Sequence, residues 1–94
     1  MQVKWLRRAL QNLEAEADYI ARDNPAAARS FVLHVLESVA VLGEYPGIGR
    51  PGRVYGTREL VISRYPYIVP YRVRDNIVQL LRVFHTARKW PGSL

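Results

Sequence analysis

The first half of the chain repeats hydrophobic residues at steps of three and four, which is the spacing of amphipathic helices. A break at Asp23-Asn24-Pro25 divides the repeat, since Asn is a good N-cap and Pro suits the first helical position. The pattern therefore predicts an antiparallel helical hairpin over residues 6–43 that ends at Gly43. The predicted core stripes are Leu6, Leu10, Leu13, Ala17 and Ile20 in the first helix, and Ala28, Phe31, Val35, Val39 and Leu42 in the second.

The second half changes to the pattern of turns and strands. Residues 44–56 hold four glycines and two prolines, so we expect a loop without regular structure. Residues 57–90 are strand-like, and Asp75-Asn76 supplies a two-residue hairpin turn whose residues tolerate positive φ. With a short edge strand at Val3-Lys4-Trp5, the chain predicts one α+β domain over residues 1–94. Its order is β-α-α-β-β-β, with the helical hairpin packed on one face of a small, largely antiparallel sheet.

The predicted hairpin turn also fixes which side chains share a face of the sheet. Pro70 lacks a ladder donor, so it predicts an edge or a bulge in its strand. The face expected to pack on the helices holds Tyr67, Val69, Tyr71, Val73, Val78, Leu80, Arg82 and Phe84. The opposite face holds Ile68, Pro70, Arg72, Arg74, Ile77, Gln79, Leu81 and Val83.

The excess positive charge is confined to the second half. Residues 1–43 carry five basic and five acidic residues, whereas residues 44–94 carry nine basic and three acidic residues and so the whole net charge of +6. This asymmetry predicts an acidic partner, either nucleic acid or an acidic polypeptide. The other interpretation is that the arginines only solvate the surface. The residues predicted to contact a target or partner are Arg50, Arg53, Arg58, Arg64, Arg72, Arg74, Arg88, Lys89 and Trp90.

The composition excludes several kinds of chemistry. The chain has no cysteine, which rules out disulfides, Cys-based metal sites and a cysteine nucleophile. Its two histidines, His34 and His85, are too few for a His-based zinc site, and we expect neither a metal nor another cofactor. There is no apolar run of membrane-spanning length and no N-terminal signal pattern, so we expect a cytoplasmic protein without a membrane partner.

One enzymatic reaction remains open to these residues. Cleavage of RNA through its own 2′-OH requires a base, an acid and cations that stabilise the transition state. His85 would serve as base or acid, with cations supplied by Arg72, Arg82 and Arg88, which would make the protein a metal-free endoribonuclease. Against this, a single histidine at a strand end is more often a hydrogen-bonded structural residue.

The segments GTRELVISRYPYIVPYRV and IVQLLRVFHTARKWP resemble the C-terminal half of toxins in the RelE/ParE superfamily of type II toxin–antitoxin systems. The predicted order of elements extends the resemblance over nearly the whole chain. It implies a growth-inhibitory toxin that a cognate antitoxin neutralises. It also implies that the antitoxin wraps the toxin with a flexible, often acidic segment, so that the two form a hetero-oligomer.

Departures from the superfamily's ribonuclease motifs favour one branch. Ribonucleases resembling RelE often carry Tyr-Arg-x-x-Tyr, but here Ile68 stands between Tyr67 and Tyr71 at the arginine position. In the terminal His-Arg-x-x-x-Tyr motif, Thr86 replaces the arginine and Trp90 replaces the tyrosine. An indole cannot act as a general base near neutral pH. The chain is therefore more similar to the ParE branch, whose members act on DNA gyrase without nuclease chemistry. Ribosome-bound mRNA is the alternative target.

Overall fold

A computed structural model describes residues 1–88, 90 and 94. It shows the predicted α+β fold, in which a helical hairpin packs on a mixed, mostly antiparallel sheet. A 3₁₀ turn at Val41–Gly43 follows the hairpin. The helices are α1 (Arg7–Ala21) and α2 (Pro25–Ala40), and the strands are β1 (Gln2–Trp5), β2 (Arg50–Pro51), β3 (Arg58–Ile62), β4 (Tyr67–Arg74), β5 (Ile77–Leu80) and β6 (Phe84–His85).

The helical hairpin forms where the periodicity placed it. The Asn24 side chain accepts a hydrogen bond from the Ala27 N–H at 3.0 Å, and this caps α2. All five residues of the stripe predicted for α2 and its 3₁₀ turn are buried. The stripe predicted for α1 is rotated, because Ala9 lies in the core while Leu10 is 44% exposed. Glu16 also faces inward, and this buried carboxylate becomes important below.

The sheet has the strand order β1-β5-β4-β3-β2, and β6 pairs with β4 beyond the end of β5. As expected, β1 lies at an edge, where it runs parallel to β5. The Asp75-Asn76 turn has the predicted positive φ values, 53° and 62°. The expectation of an irregular loop over residues 44–56 is wrong at Arg50–Pro51. These two residues form β2, since Arg50 pairs with Glu59 in an antiparallel ladder.

The predicted register of the β4–β5 hairpin holds near the turn and then slips by one residue. Tyr71 pairs with Leu80 as predicted, but Tyr67 pairs with His85 instead of Phe84. Pro70 explains the slip: it accepts a hydrogen bond from the Leu81 N–H at 2.9 Å but has no N–H to return. The ladder breaks there, and the segment before β6 accommodates one extra residue, as in a bulge.

The slip exchanges faces at the end of the sheet. Cross-strand partners share a face, so His85 lies with Tyr67 on the side of the helices and Phe84 lies with Ile68 on the outer side. Placing Phe84 on the helix face was therefore wrong, and Val83 joins the core instead of the outer face. The other positions predicted for this face are buried except Arg82, which is half-buried, and Val73, which is 47% exposed near the hairpin turn.

Helix α2 is apolar on two sides. Phe31, Val35 and Val39 are buried in the core, whereas Leu33 and Leu36 are 59% and 40% exposed. By length and mean hydropathy (1.4), the segment Pro25–Gly43 could cross a membrane, a test that core helices of soluble proteins also pass. Here the apolar inner side belongs to the core, and the outer side forms exposed apolar surface.

Candidate functional site

A buried carboxylate organises the loop that carries two of the predicted binding residues. Glu59 is only 3% exposed and accepts hydrogen bonds from the Arg50 guanidinium at 3.2 Å and from the Arg53 backbone N–H at 2.9 Å. The Arg50 Nη2 atom lies 3.1 Å from the same carboxylate. These contacts fold residues 50–53 onto β3. The side of Arg50 and Arg53 that reaches Glu59 is therefore structural, and about half of each side chain stays exposed.

A second set of contacts closes the same loop. The Tyr71 hydroxyl accepts from the Gly49 N–H at 2.9 Å and donates to the Pro46 carbonyl at 2.7 Å. Burial raises the pKa of Tyr71 above its ordinary value of 10.0. Arg58, another predicted binding residue, donates to the carbonyl oxygens of Gly47 and Gly49 at 3.3 Å and 2.8 Å. Its guanidinium thus holds the loop backbone.

Trp90 lies on the outer face of the sheet. The Trp90 ring packs on Phe84 with 4.6 Å between centroids, and the Arg53 guanidinium sits 3.8 Å from the Trp90 ring centroid. Because Phe84 shares its face with Ile68, these rings lie at the position where the ribonuclease motif would place an arginine. Trp90 was predicted to contact a target or partner, and in the folded chain its ring packs against the sheet. Lys89, also predicted to bind, lies outside the described residues.

The nuclease candidates His85 and Arg88 belong to a different cluster, centred on Glu16. This carboxylate accepts hydrogen bonds from the Tyr67 hydroxyl at 2.8 Å and from Arg88 at 2.5 Å. The Glu16 hydrogen bond raises the pKa of Arg88, and burial together with Glu16 raises the pKa of Tyr67 well above 10.0. His85 packs edge-on against Tyr67 and accepts the Ala87 N–H on Nδ1 at 3.1 Å. A neutral His85 must then carry its proton on Nε2.

The remaining nuclease candidates bind other partners. Arg72 Nε donates to the Gln79 side chain at 2.7 Å. Arg82 Nε donates to the Asn12 side chain of α1 at 2.9 Å, and burial with the nearby positive charge of Arg8 lowers the pKa of Arg82. The four residues proposed for RNA cleavage are thus divided among three places, since only His85 and Arg88 lie close together. The Arg88 guanidinium is already paired with Glu16 and is not free for a phosphate.

A cavity of about 580 Å³ gathers a different set of arginines at the start of α1 and the end of β4. Arg72 and Arg74 come from β4 and were predicted to bind a partner. Arg7 and Arg8 come from α1 and were not, since they stood on the polar side of the first helix. Arg64, the remaining residue predicted to contact a target or partner, is exposed in the β3–β4 turn with φ of 72°.

Two acidic residues were missed as organisers of the site. Glu16 stands three positions after Leu13, within the core stripe of α1, and a carboxylate at such a position needs a partner when buried. Glu59 stands between Arg58 and Leu60 at the start of a strand, where the sequence alone gave no sign of burial. Among the described residues, no group of three His, Asp or Glu side chains could hold a metal ion.

The fold matches that of chains solved in toxin–antitoxin systems. A chain of the chromosomal ParDE toxin–antitoxin system from P. aeruginosa superposes with a TM-score of 0.82 and 35% identity, over 90% of this chain and 95% of that chain. A chain of the toxin–antitoxin complex RelBE2 from Mycobacterium tuberculosis superposes with a TM-score of 0.57 and 25% identity, over 89% of this chain and 95% of that chain.

Sequence comparisons narrow this class. The family model of the ParE toxin of the type II toxin–antitoxin system parDE matches residues 3–90, and the chain belongs to this family. It is 44% identical to Y4kP of Sinorhizobium fredii, which is named as a candidate toxin, over 98% of this chain and 95% of that protein. It is 40% identical to toxin RelE2 of Caulobacter vibrioides, over 93% of this chain and 97% of that protein. The ParE branch expected from the sequence is thereby confirmed.

Proposed function

We propose that this toxin inhibits growth by binding DNA gyrase, and that it does so without nuclease chemistry. The observation that carries the proposal is the state of the nuclease positions. Ile68 occupies the arginine position and is buried beside Phe84, and Tyr67 donates its hydroxyl proton to Glu16. A phenol whose pKa is raised in this way stays protonated near neutral pH and cannot act as a base. Family membership in the ParE branch supports the same target.

We further propose that a cognate antitoxin, with a flexible acidic segment, holds the toxin inactive in the cytoplasm. Two surfaces support such a partner. One is the exposed apolar side of α2, which lies beside a groove of about 500 Å³ between the two helices. Exposed apolar patches of this kind mark interaction sites. The other is the arginine-rich half of the chain, which attracts acidic segments.

The gyrase proposal is tested with toxin separated from its co-purified antitoxin. Added to gyrase, ATP and relaxed plasmid, the toxin is expected to block supercoiling and to leave linear plasmid after the protein is denatured, the sign of trapped cleavage complexes. Addition of antitoxin should restore supercoiling. Unchanged supercoiling together with the absence of linear plasmid would overturn the proposal.

The similarity to a protein named toxin RelE2 keeps RNA cleavage as a second candidate function. His85 decides between the two. If the toxin is a ribonuclease, His85→Ala abolishes growth arrest and translated mRNA is cut on induction. If it acts on gyrase, His85→Ala remains toxic and mRNA stays intact. His34→Ala is the matched control, since the other histidine lies on α2, away from Glu16 and Tyr67, and its ring meets Ser63 and Tyr65.

A further inference from the structure

The arginine cavity is distinguished by the number of unpaired cations that it brings together. Four arginines line it, and no acidic side chain is among the described residues around it. Arg7, Arg8 and Arg74 make no ion pair with any described residue, and Arg72 meets only the neutral Gln79. Arg22, Arg29 and Arg64 are also without an ion pair to a described residue, but they are not gathered in one place as these four arginines are. Leu94 also lines the cavity, but no ion pair joins it to the four arginines, so their positive charge can meet an anionic ligand there.

The start of α1 adds to this charge instead of opposing it. The first turn of the helix contains no acidic residue, and Leu6 at the N-cap makes no side-chain capping bond. Free backbone N–H groups and the helix dipole already make this end positive. Arg7 and Arg8 at the same end are unfavourable within the isolated toxin. An anion bound in the cavity would offset the repulsion between these two arginines and the positive end of the helix.

An exposed aromatic ring stands on the rim of the cavity. Tyr55 is fully exposed, on a loop that internal hydrogen bonds close. The Thr57 N–H and hydroxyl donate to the Val54 carbonyl at 3.1 Å and 2.6 Å, and the Gly52 N–H donates to the Thr57 carbonyl at 2.9 Å. The hydrogen-bonded loop thus presents the Tyr55 ring next to the arginines, where the ring is fully exposed.

We propose that this cavity binds a single nucleic-acid strand, with arginines on its phosphates and a base stacked on Tyr55. Arg72 and Arg74 are two residues apart on one strand face, about 6.7 Å along β4, so they can hold separate charges of an extended polyanion. An acidic peptide would also match the arginines, but a carboxylate makes no use of the exposed ring. Stacking of bases on aromatic side chains beside a basic groove is the usual mode of strand binding.

The inference deepens the proposed function, on which it rests for its biological setting, because gyrase acts on DNA that the toxin would then touch directly. It does not depend on gyrase for its test. If the toxin binds a DNA strand but leaves gyrase active, the proposed function is wrong and the strand-binding inference stands. If the toxin inhibits gyrase but binds no strand, the proposed function stands and the inference is wrong.

Binding is measured by fluorescence anisotropy with a labelled single-stranded DNA oligonucleotide, and with RNA of the same sequence as a second probe. The double variant Arg7→Gln, Arg74→Gln is expected to bind roughly tenfold more weakly and to lower the slope of affinity against salt by about two phosphate contacts. Tyr55→Ala should weaken binding to the single strand and leave binding to duplex DNA unchanged. Binding of either probe that weakens in both the arginine variant and Tyr55→Ala supports the inference. The ratio of the two affinities shows whether the cavity favours DNA or RNA.

Two matched controls separate the cavity from overall charge and exposed rings. Arg22→Gln, Arg29→Gln removes the same charge at the opposite end of the helical hairpin, and Tyr45→Ala removes another exposed ring. Both controls should bind the oligonucleotide as the wild type does. Equal loss in the two arginine pairs would overturn the inference, since binding would then follow net charge alone. Poly-glutamate of equal charge that displaced the strand at the same concentration would also overturn it, because the ring would then contribute nothing.

Discussion

The arginines that contact buried carboxylates and the arginines that line the cavity have opposite surroundings. Toward the C-terminal tail, Arg50 and Arg53 meet the buried Glu59, and Arg88 meets the buried Glu16. Around the cavity at the start of α1, arginines such as Arg7 and Arg74 meet no carboxylate among the described residues. The first group fixes loops and the tail to the body of the protein. The second adds nothing to folding and leaves its charge available to a ligand.

The comparison shows why a basic sequence cannot be translated directly into a binding surface. Eight of the twelve arginines lie in the second half of the chain, and all looked equivalent as cations. A buried carboxylate converts the nearest of them into structural residues, since a buried charge must be paired. The cavity, in contrast, includes Arg7 and Arg8, which lie in the half of the chain that is neutral overall. Substitutions in the carboxylate–arginine contacts and substitutions at the cavity should therefore differ first in their effect on stability.

The largest effect is expected at Glu59. Glu59→Ala removes the acceptor of the Arg50 guanidinium and leaves the partly buried Arg53 N–H without its partner. We expect a loss of about 2–4 kcal/mol of unfolding free energy. Urea denaturation gives the value, with Glu14→Ala on the exposed side of α1 as the control. A midpoint equal to that of Glu14→Ala would show that the Glu59 contacts add no stability.

The next effect concerns the loop that these contacts fold. A Cβ atom at Gly49 would lie 2.5 Å from the Tyr71 hydroxyl, so Gly49→Ala must displace either the loop or the ring. We expect a cost of about 1–3 kcal/mol, typical of overpacking a buried contact. Gly47→Ala is the matched control, because nothing lies within 4 Å of its Cβ position, and it should stay within about 0.5 kcal/mol of the wild type. Equal melting temperatures for the two variants would contradict this packing.

The Glu16 cluster should be visible in the pH dependence of stability. The pKa of Tyr67 is raised in the folded state above its ordinary value of 10.0, so the folded protein keeps this proton longer than the unfolded chain does. The resulting stability is complete below pH 10 and is lost as pH rises through the folded pKa. Tyr67→Phe should cost about 1 kcal/mol near neutral pH and should lessen the alkaline loss.

Denaturation series at neutral and alkaline pH measure this difference. Tyr45→Phe serves as the control, since Tyr45 is 58% exposed and should leave the alkaline loss unchanged. Tyr71, whose pKa is also raised by burial, should account for a further part of it. If Tyr67→Phe kept the full alkaline loss, the proton on Tyr67 would not be coupled to folding.

The sequence predicted the helices and strands better than the register in which the strands pair. Periodicity located both helices, and the Asp75-Asn76 turn gave the correct register next to it. Pro70 was recognised as a signal for a bulge, but the position of the extra residue depends on the tertiary contacts of β6 and could not be read locally. That single residue decides whether His85 or Phe84 faces the helices. A local pattern thus left the orientation of the main catalytic candidate open.

The arginine sites were the least predictable feature, for a related reason. Whether an arginine is structural depends on a carboxylate far away in sequence, as with Arg88 and Glu16, which are 72 residues apart. Likewise, the cavity combines the first turn of α1 with the end of β4, and only the folded chain brings them together. Composition indicated the sign of the partner's charge. The surface that meets the partner required the fold.

The smallest expected effect lies at the cavity, and its sign is opposite to that of the others. Arg7→Glu places an acidic residue in the first turn of α1, where it is favourable to the helix dipole, so we expect a gain in stability of about 0.5 kcal/mol or less. The same variant should bind the single-stranded oligonucleotide more weakly than the wild type, because a like charge then faces the phosphates. Thermal denaturation and anisotropy measured on one preparation give both values. A variant that lost stability along with binding would place Arg7 among the structural arginines. It would remove the distinction between the arginines that contact carboxylates and those that line the cavity.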